Sequence, residues 1–240
     1  MVLKAIFLEF RGVLIDDRLI QSQVMQQLLL DQNLSLKPQE YEDLIREEDD
    51  RSCLQLLLER RGRSHSVAEL NHLLEKRCDW TLEYLENALG RSSLLLPDVR
   101  DFLFRARALA CKLVLMTSSI EREVKAILNL EQISPYFDLV LAGDKLPHQP
   151  IKPWAYTYGI ESLNQLYPNL NLTPQNCLTI EPVYRYCDAA RSVGISVAAV
   201  SRYRPIHFLQ RRADWTVDRL TDLEFDRIQG SLSPSVNFSA

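Results

Sequence analysis

An acid and a base lie two residues apart at the end of an apolar segment near the start of the chain. Residues 6–17 read IFLEFRGVLIDD, so Glu9 and Arg11 directly follow a run that is typical of a buried strand. Side chains of a strand alternate between its two faces, and residues two apart point the same way. The two side chains form either a surface ion pair or the floor of a site, where a carboxylate can act as a nucleophile and a guanidinium as a fixed cation.

The elements that position this pair can be predicted from the alternation of apolar and amphipathic segments. Short segments rich in Val, Ile and Leu predict buried parallel strands at residues 4–10, 112–119, 137–144, 177–182 and 196–201. Helical patterns lie between the later strands. This order predicts an α/β protein with a doubly wound parallel sheet, whose ligands bind beyond the carboxyl ends of the strands.

One long segment breaks this alternation. Residues 18–92 carry leucines at helical spacing, with charges on the opposite faces, and contain no strand pattern. We therefore predict an α/β core formed by residues 1–17 and 93–229, with an all-helical cap of residues 18–92 over the strand ends. The polar residues 230–240 are predicted to be a disordered tail. Arg51, which ends a charged run in the cap, is predicted to face the cleft as a ligand-binding residue.

Composition excludes several classes of protein. The 240 residues carry a net charge of -4, which argues against nucleic acid as a partner. No apolar segment approaches the roughly 20 residues that span a bilayer, and no leader pattern begins the chain, so we expect a cytoplasmic protein. The five cysteines form no CxxC pair and the four histidines lack ligand spacing, so neither a disulfide framework nor a zinc site is predicted.

The motifs at the strand ends resemble those of a known family. EFRGVLIDD is similar to the first motif, DFDGVLIDS, of the haloacid dehalogenase superfamily, in the helical-cap branch that includes phosphoglycolate phosphatase and β-phosphoglucomutase. YFDLVLAGD, IKPWAYTYGI and CLTIEPVYRYCDAARSVGI resemble later family segments in the same order. The resemblance covers nearly the whole chain and implies a Rossmann-like core with a helical cap.

The resemblance assigns a family role to each position at the strand ends. It implies that Glu9 stands at the nucleophile position and Arg11 at the acid/base position, where the family has aspartates. Thr117 or Ser118 matches the phosphate-binding hydroxyl. The family lysine is matched by Lys152, and the acids that help to hold Mg²⁺ are matched by Glu181 and Pro182.

Three of these substitutions alter the inherited chemistry. Glu is one methylene longer than Asp, Arg holds its proton far above neutral pH, and Pro offers no side-chain oxygen to a metal. The five charged positions of the family pattern sum to -3, whereas their counterparts here sum to zero. We therefore hypothesise that Arg11 replaces the metal and pairs with Glu9 or Glu181, and that Lys152 pairs with the same carboxylates.

Two functions are consistent with this motif pattern. The first is a catalytically inactive pseudophosphatase, without cofactor or metal, that binds a protein partner or a small phosphorylated ligand. In a further form of this hypothesis Arg11, Thr117, Ser118 and Lys152 hold the phosphate. The alternative is a weak Mg²⁺-dependent phosphatase or phosphomutase on small phosphorylated metabolites, with Glu9 as nucleophile.

Overall fold

A parallel sheet forms the centre of the molecule. The computed structural model describes residues 2–45, 48–87, 93–145 and 153–232. Within these residues the strands are β1 (Ala5–Glu9), β2 (Lys112–Met116), β3 (Leu139–Leu141), β4 (Cys177–Glu181), β5 (Ser196–Val200) and β6 (Trp215–Val217). All are parallel, in the order β3-β2-β1-β4-β5-β6. The predicted doubly wound α/β sheet is confirmed.

The first strand lies in the interior of the sheet and is buried along its whole length. It pairs with β2 on one side and β4 on the other, and all of its residues are buried. Ile6 and Leu8 join the apolar core on one face, whereas Ala5 and Phe7 join the core on the other. Burial on both faces explains why this segment reads as an apolar run with no polar alternation.

The regular elements that the structure describes between β1 and residue 93 are four helices. They are α1 (Arg18–Asp31), α2 (Pro38–Ile45), α3 (Asp50–Glu59) and α4 (Val67–Asn87). We refer to α1–α4 as the inserted helices. They share an apolar core of their own, built from residues such as Met25, Leu54 and Leu73. The proposal that they form a separate cap with boundaries at 18 and 92 stays a prediction.

The remaining helices cover the two faces of the sheet. They are α5 (Val99–Ala108), α6 (Glu121–Leu130), α7 (Trp154–Leu166), α8 (Tyr184–Ser192), α9 (Ile206–Leu209) and α10 (Phe225–Leu232). Apolar residues of α5, α6 and α10 pack on the Ile6 face, and those of α7, α8 and α9 pack on the Phe7 face. The end of α10 corrects one prediction, because residues 230–232 of the predicted disordered tail are helical; residues 233–240 lie outside the described residues.

In the part of the chain that the structure describes, no helix combines the length and the apolar character that a membrane span requires.

The cysteines offer a simple test of this packing. All five are free and buried, and burial raises the pKa of Cys78 and of Cys111 to about 11. A buried thiol with a raised pKa forms little of the reactive thiolate. We expect less than about one thiol per chain to react with Ellman's reagent at pH 8 in the native state. All five should react in guanidinium chloride, and rapid reaction of two or more native thiols would contradict the packing described.

Candidate active site

A cleft opens where the carboxyl ends of β1, β2 and β4 face the inserted helices. Its free volume, counted out to its open side, is about 580 Å³. Residues from both parts of the molecule line it, among them Glu9, Arg11, Asp17, Tyr41, Asp50, Thr117, Ser118, Pro182, Tyr186 and Tyr203. The cleft therefore lies at the sheet edge where ligands of doubly wound folds bind.

The central strand positions the carboxylate of Glu9. Glu9 is the last residue of β1, is only 7% exposed and lines the cleft. Its Oε1 accepts a hydrogen bond of 2.9 Å from the backbone N–H of Phe10. After Glu9 the chain turns sharply, with Gly12 at φ +78° and a 3.0 Å hydrogen bond from Leu14 N–H to the Phe10 carbonyl. The turn keeps Arg11 at the mouth of the strand.

Three carboxylates surround the guanidinium of Arg11. Its Nε is 2.9 Å from Asp17 Oδ2, its Nη1 is 2.5 Å from Asp50 Oδ2, and its Nη2 is 2.5 Å from Glu123 Oε1. Burial disfavours the charge, but the three carboxylates outweigh it and raise the pKa of Arg11 well above its ordinary value. Arg11 is therefore a permanent cation. The hypothesis that it pairs with Glu9 or Glu181 is wrong.

A second arginine, absent from the sequence predictions, extends this cluster. Arg77 of α4 is 1% exposed, and its Nη2 is 2.7 Å from Glu123 Oε2 and 3.2 Å from Asp50 Oδ2. Its Nη1 donates to Gln21 Oε1, and the amide of Gln21 donates to Asp17. We call this set the arginine–carboxylate network: Arg11, Arg77, Asp17, Asp50, Glu123 and Gln21.

A sequence signal for Arg77 was present. It stands three and four residues after Leu74 and Leu73 on the buried face of α4, where the helical pattern calls for an apolar residue. An arginine on the buried face of a helix needs an anionic partner. Glu123 shows the same signal on α6, beside the buried residues Val124 and Ile127. Charges at apolar positions, and not only motif positions, therefore mark this site.

The last-motif residues, Glu181 and Pro182, differ in their burial and in their side-chain atoms. Glu181 is fully buried, and its Oε1 accepts hydrogen bonds from the Tyr156 hydroxyl at 2.5 Å and from the Thr179 hydroxyl at 2.8 Å. Burial, with the negative charge of Glu181, raises the pKa of Tyr156 well above its ordinary value, so the phenol remains a donor. Pro182 lines the cleft but has no ligand atom in its side chain.

Of the other predicted residues, two line the cleft and one does not. Thr117 and Ser118 lie at the end of β2 and face the cleft. Gly143 allows this arrangement, since a Cβ there would lie 2.2 Å from the Ser118 carbonyl oxygen. Arg51 does not line the cleft and instead donates to Asn71 of α4, so its predicted orientation is wrong. Lys152 lies outside the described residues.

Two tyrosines, Tyr186 and Tyr203, narrow the cleft. The ring of Tyr203 lies over Gly12, where a Cβ would be 2.6 Å from its Cε2. Tyr186 of α8 lines the same space beside Pro182. Burial, followed by the charges of nearby carboxylates including Glu9, raises the pKa of Tyr186 and of Tyr203. Both are neutral phenols that fill part of the volume above Glu9.

The residues described do not fit the Mg²⁺ ion that the family resemblance implies. Among them, no group of three or more His, Cys, Asp or Glu side chains is placed to hold a metal ion. Asp17, Asp50 and Glu123 converge, but their shared centre is the guanidinium of Arg11. A fixed cation at that position repels a divalent ion at close range.

Comparison with known proteins identifies the family. The sequence model of the haloacid dehalogenase-like hydrolases matches residues 3–181. This chain belongs to the haloacid dehalogenase-like hydrolase family. The family resemblance found in the motifs is confirmed, and it spans the strands that carry Glu9, Thr117 and Glu181.

Relatives within this hydrolase family cover almost the whole chain. Protein CbbY of Rhodobacter capsulatus is 25% identical over 228 residues, which are 92% of this chain and 95% of CbbY. A β-phosphoglucomutase structure from Clostridium difficile superimposes with a TM-score of 0.77 at 21% identity, covering 97% of each chain. CbbY of Rhodobacter sphaeroides, solved as a variant with xylulose-1,5-bisphosphate, gives 0.77 at 15% identity over 92% of this chain and 96% of that one.

Removing the Arg11 charge should destabilise this member of the hydrolase family. Arg11→Met leaves Asp17, Asp50 and Glu123 without their shared cation, and stranding buried charges costs about 3–5 kcal/mol. The matched control is Arg18→Met, which removes a single partly exposed ion pair with Asp16 and should cost about 1 kcal/mol or less. Urea unfolding followed by circular dichroism measures both. Equal losses in the two variants would contradict the role given to Arg11.

The binding of Mg²⁺ gives a second prediction for this member of the hydrolase family. Millimolar Mg²⁺ should leave the melting temperature of the native chain unchanged and give no heat in a calorimetric titration. The triple variant Glu9→Asp, Arg11→Asp and Pro182→Asp restores the family acids and removes the repelling cation, so Mg²⁺ should raise its melting temperature. Stoichiometric Mg²⁺ binding by the native chain would show that Arg11 does not exclude the ion.

Proposed function

We propose that this chain acts on a small phosphorylated metabolite as a weak phosphatase or phosphomutase, with Glu9 as the nucleophile. The observation that carries the proposal is the position of Glu9, whose carboxylate ends the central strand in the cleft beside Thr117 and Ser118. Membership of the hydrolase family supports it. So does the similarity to a phosphorylated carbohydrates phosphatase of Thermotoga maritima, which is 29% identical over 99 residues, 41% of this chain and 43% of that one.

The proposed reaction uses the carboxylate that the strand holds in place. Glu9 attacks phosphorus, the bond from phosphorus to the ester oxygen breaks, and a glutamyl phosphate forms. Water in a phosphatase, or a sugar hydroxyl in a phosphomutase, then attacks phosphorus of that intermediate. The bond from phosphorus to the Glu9 oxygen breaks, the carboxylate is released, and the proton of the attacking group passes to solvent, from which the leaving alkoxide of the first step takes its proton. The hydrogen bond from Phe10 N–H to Glu9 Oε1 fixes one oxygen and thereby orients the carboxylate.

The same residues predict a slow enzyme. Arg11 cannot donate a proton to the leaving alkoxide, and loss of general acid catalysis costs about 10²–10⁴-fold in rate. The positive charge of Arg11 is also largely neutralised, because the arginine–carboxylate network holds two arginines and three carboxylates. Stabilisation of charge on the transferring phosphoryl group is weaker than a free cation would give.

A second candidate function, binding without turnover, is favoured by the partners of Arg11. The residue at the family acid/base position is tied to Asp17, Asp50 and Glu123 and has no proton to exchange at neutral pH. The ligand would be a phosphorylated metabolite held near Thr117, Ser118 and Lys152, or a protein partner. The comparisons favour the enzymatic candidate over this one, since the relatives include a phosphatase and a phosphoglucomutase.

A phosphate-release assay separates the two candidates. Sugar phosphates, phosphoglycolate and a pentulose bisphosphate are incubated with the chain, with and without Mg²⁺; the last is included because CbbY was solved with xylulose-1,5-bisphosphate. We expect slow release that Glu9→Gln abolishes. Glu48→Gln is the matched control, because Glu48 lines the same cleft but belongs to the segment before α3 and pairs with Arg185.

Thermal shifts with the same compounds complete the test. Stabilisation by a phosphorylated compound without any release would favour binding over catalysis. If no compound is hydrolysed and none raises the melting temperature, a phosphorylated small-molecule ligand is excluded and a protein partner is left. Release that persists in Glu9→Gln would show that Glu9 is not the nucleophile.

A further inference from the structure

We propose that four charges, three buried and one largely buried, form a latch that holds the inserted helices closed over the strand ends. The latch can open without leaving a buried ion unpaired. The charges alternate around a ring: Arg11 contacts Asp50, Asp50 contacts Arg77, Arg77 contacts Glu123, and Glu123 contacts Arg11. This proposal does not depend on the proposed function, because it concerns access to the cleft and not the reaction inside it.

The members of the ring come alternately from the two sides of the cleft. Arg11 follows β1 and Glu123 lies on α6, which packs on the sheet; Asp50 begins α3 and Arg77 belongs to α4. The contacts that cross the cleft are Arg11 to Asp50 at 2.5 Å and Arg77 to Glu123 at 2.7 Å. Each side therefore supplies one cation and one anion to the closed state.

The contacts within each side allow the ring to open without leaving a buried charge unpaired. Arg11 Nη2 is 2.5 Å from Glu123, both on the sheet side, and Arg77 Nη2 is 3.2 Å from Asp50, both on the inserted helices. Separation of the two sides breaks the crossing pairs but leaves these two intact. Asp17 also stays near Arg11, and Gln21 stays with Arg77. Opening thus avoids the large penalty of an unpaired buried charge.

Burial makes this ring a stronger closing contact than the ion pairs around it. Arg77 and Glu123 are at most 1% exposed. Arg122 of α6 also pairs with Asp79 of α4, but the side chains of both residues are more than half exposed. Exposed pairs contribute little and are screened by salt, whereas buried pairs are screened much less. The ring of four charges, and not the exposed pair of Arg122 and Asp79, is therefore the latch.

Hydrogen exchange of the intact chain, followed by mass spectrometry, tests the latch. Asp50→Asn removes the anion that both arginines share across the ring. We expect exchange at residues 10–17 and in the first turn of α6 to become at least about tenfold faster, because these backbone amides become exposed on opening. Asp79→Asn, the same substitution in the exposed pair that crosses to Arg122, should leave exchange unchanged.

Two outcomes would overturn the latch. Equal exchange in Asp50→Asn and Asp79→Asn would show that the ring does not control opening. A uniform rise that includes the central strand β2 would show that Asp50 serves global stability and not closure. Arg77→Lys keeps the charge but loses the fork that reaches both carboxylates. It should open the same segments to a smaller extent, and it decides the question if Asp50→Asn does not fold.

Discussion

The guanidinium of Arg11 lies where three separate parts of the molecule meet. It takes one carboxylate from the segment before α1, one from the start of α3 and one from the first turn of α6: Asp17, Asp50 and Glu123. None of these acids could stay buried and ionised without a cation close by. One side chain just after the central strand therefore pairs with acids from both the sheet side and the inserted helices.

The same cation changes the chemistry that this fold can support. A permanent charge at the acid/base position gives no proton transfer, and it lies among the carboxylates that would otherwise attract a metal ion. Glu181 Oε1 accepts hydrogen bonds from Tyr156 and Thr179, and the side chain of Pro182 carries no oxygen. Glu9 is left as the strand-end carboxylate that combines cleft access with a fixed orientation. Among the described residues, the site thus combines a carboxylate at the family's nucleophile position and the hydroxyls of Thr117 and Ser118 with a fixed cation at the acid/base position.

Burial of both faces of the sheet is what makes this arrangement possible. Phe7 packs edge-on against Tyr156, with ring centroids 5.9 Å apart, while Ile6 and Leu8 pack under α5 and α6. A strand fixed on both faces holds its terminal residue with little freedom, which a positioned carboxylate requires. The aromatic rings of Tyr186 and Tyr203 line the same cleft as Glu9, so the fold sets both the position of the carboxylate and the free space beside it.

Local pattern was enough to predict five of the six described strands, the helical character of the inserted segment and the motif positions at the strand ends, because strand period, helical spacing and turn residues depend on near neighbours. The short edge strand β6 was not among the strands predicted from local pattern. The partners of Arg11 were decided only by the tertiary structure. Asp17, Asp50 and Glu123 lie 6, 39 and 112 residues away in sequence, and which acids reach the guanidinium depends on how α3 and α6 dock. The sequence predicted a cation beside Glu9; the packing of distant helices turned it away from Glu9 and toward the network that closes the cleft.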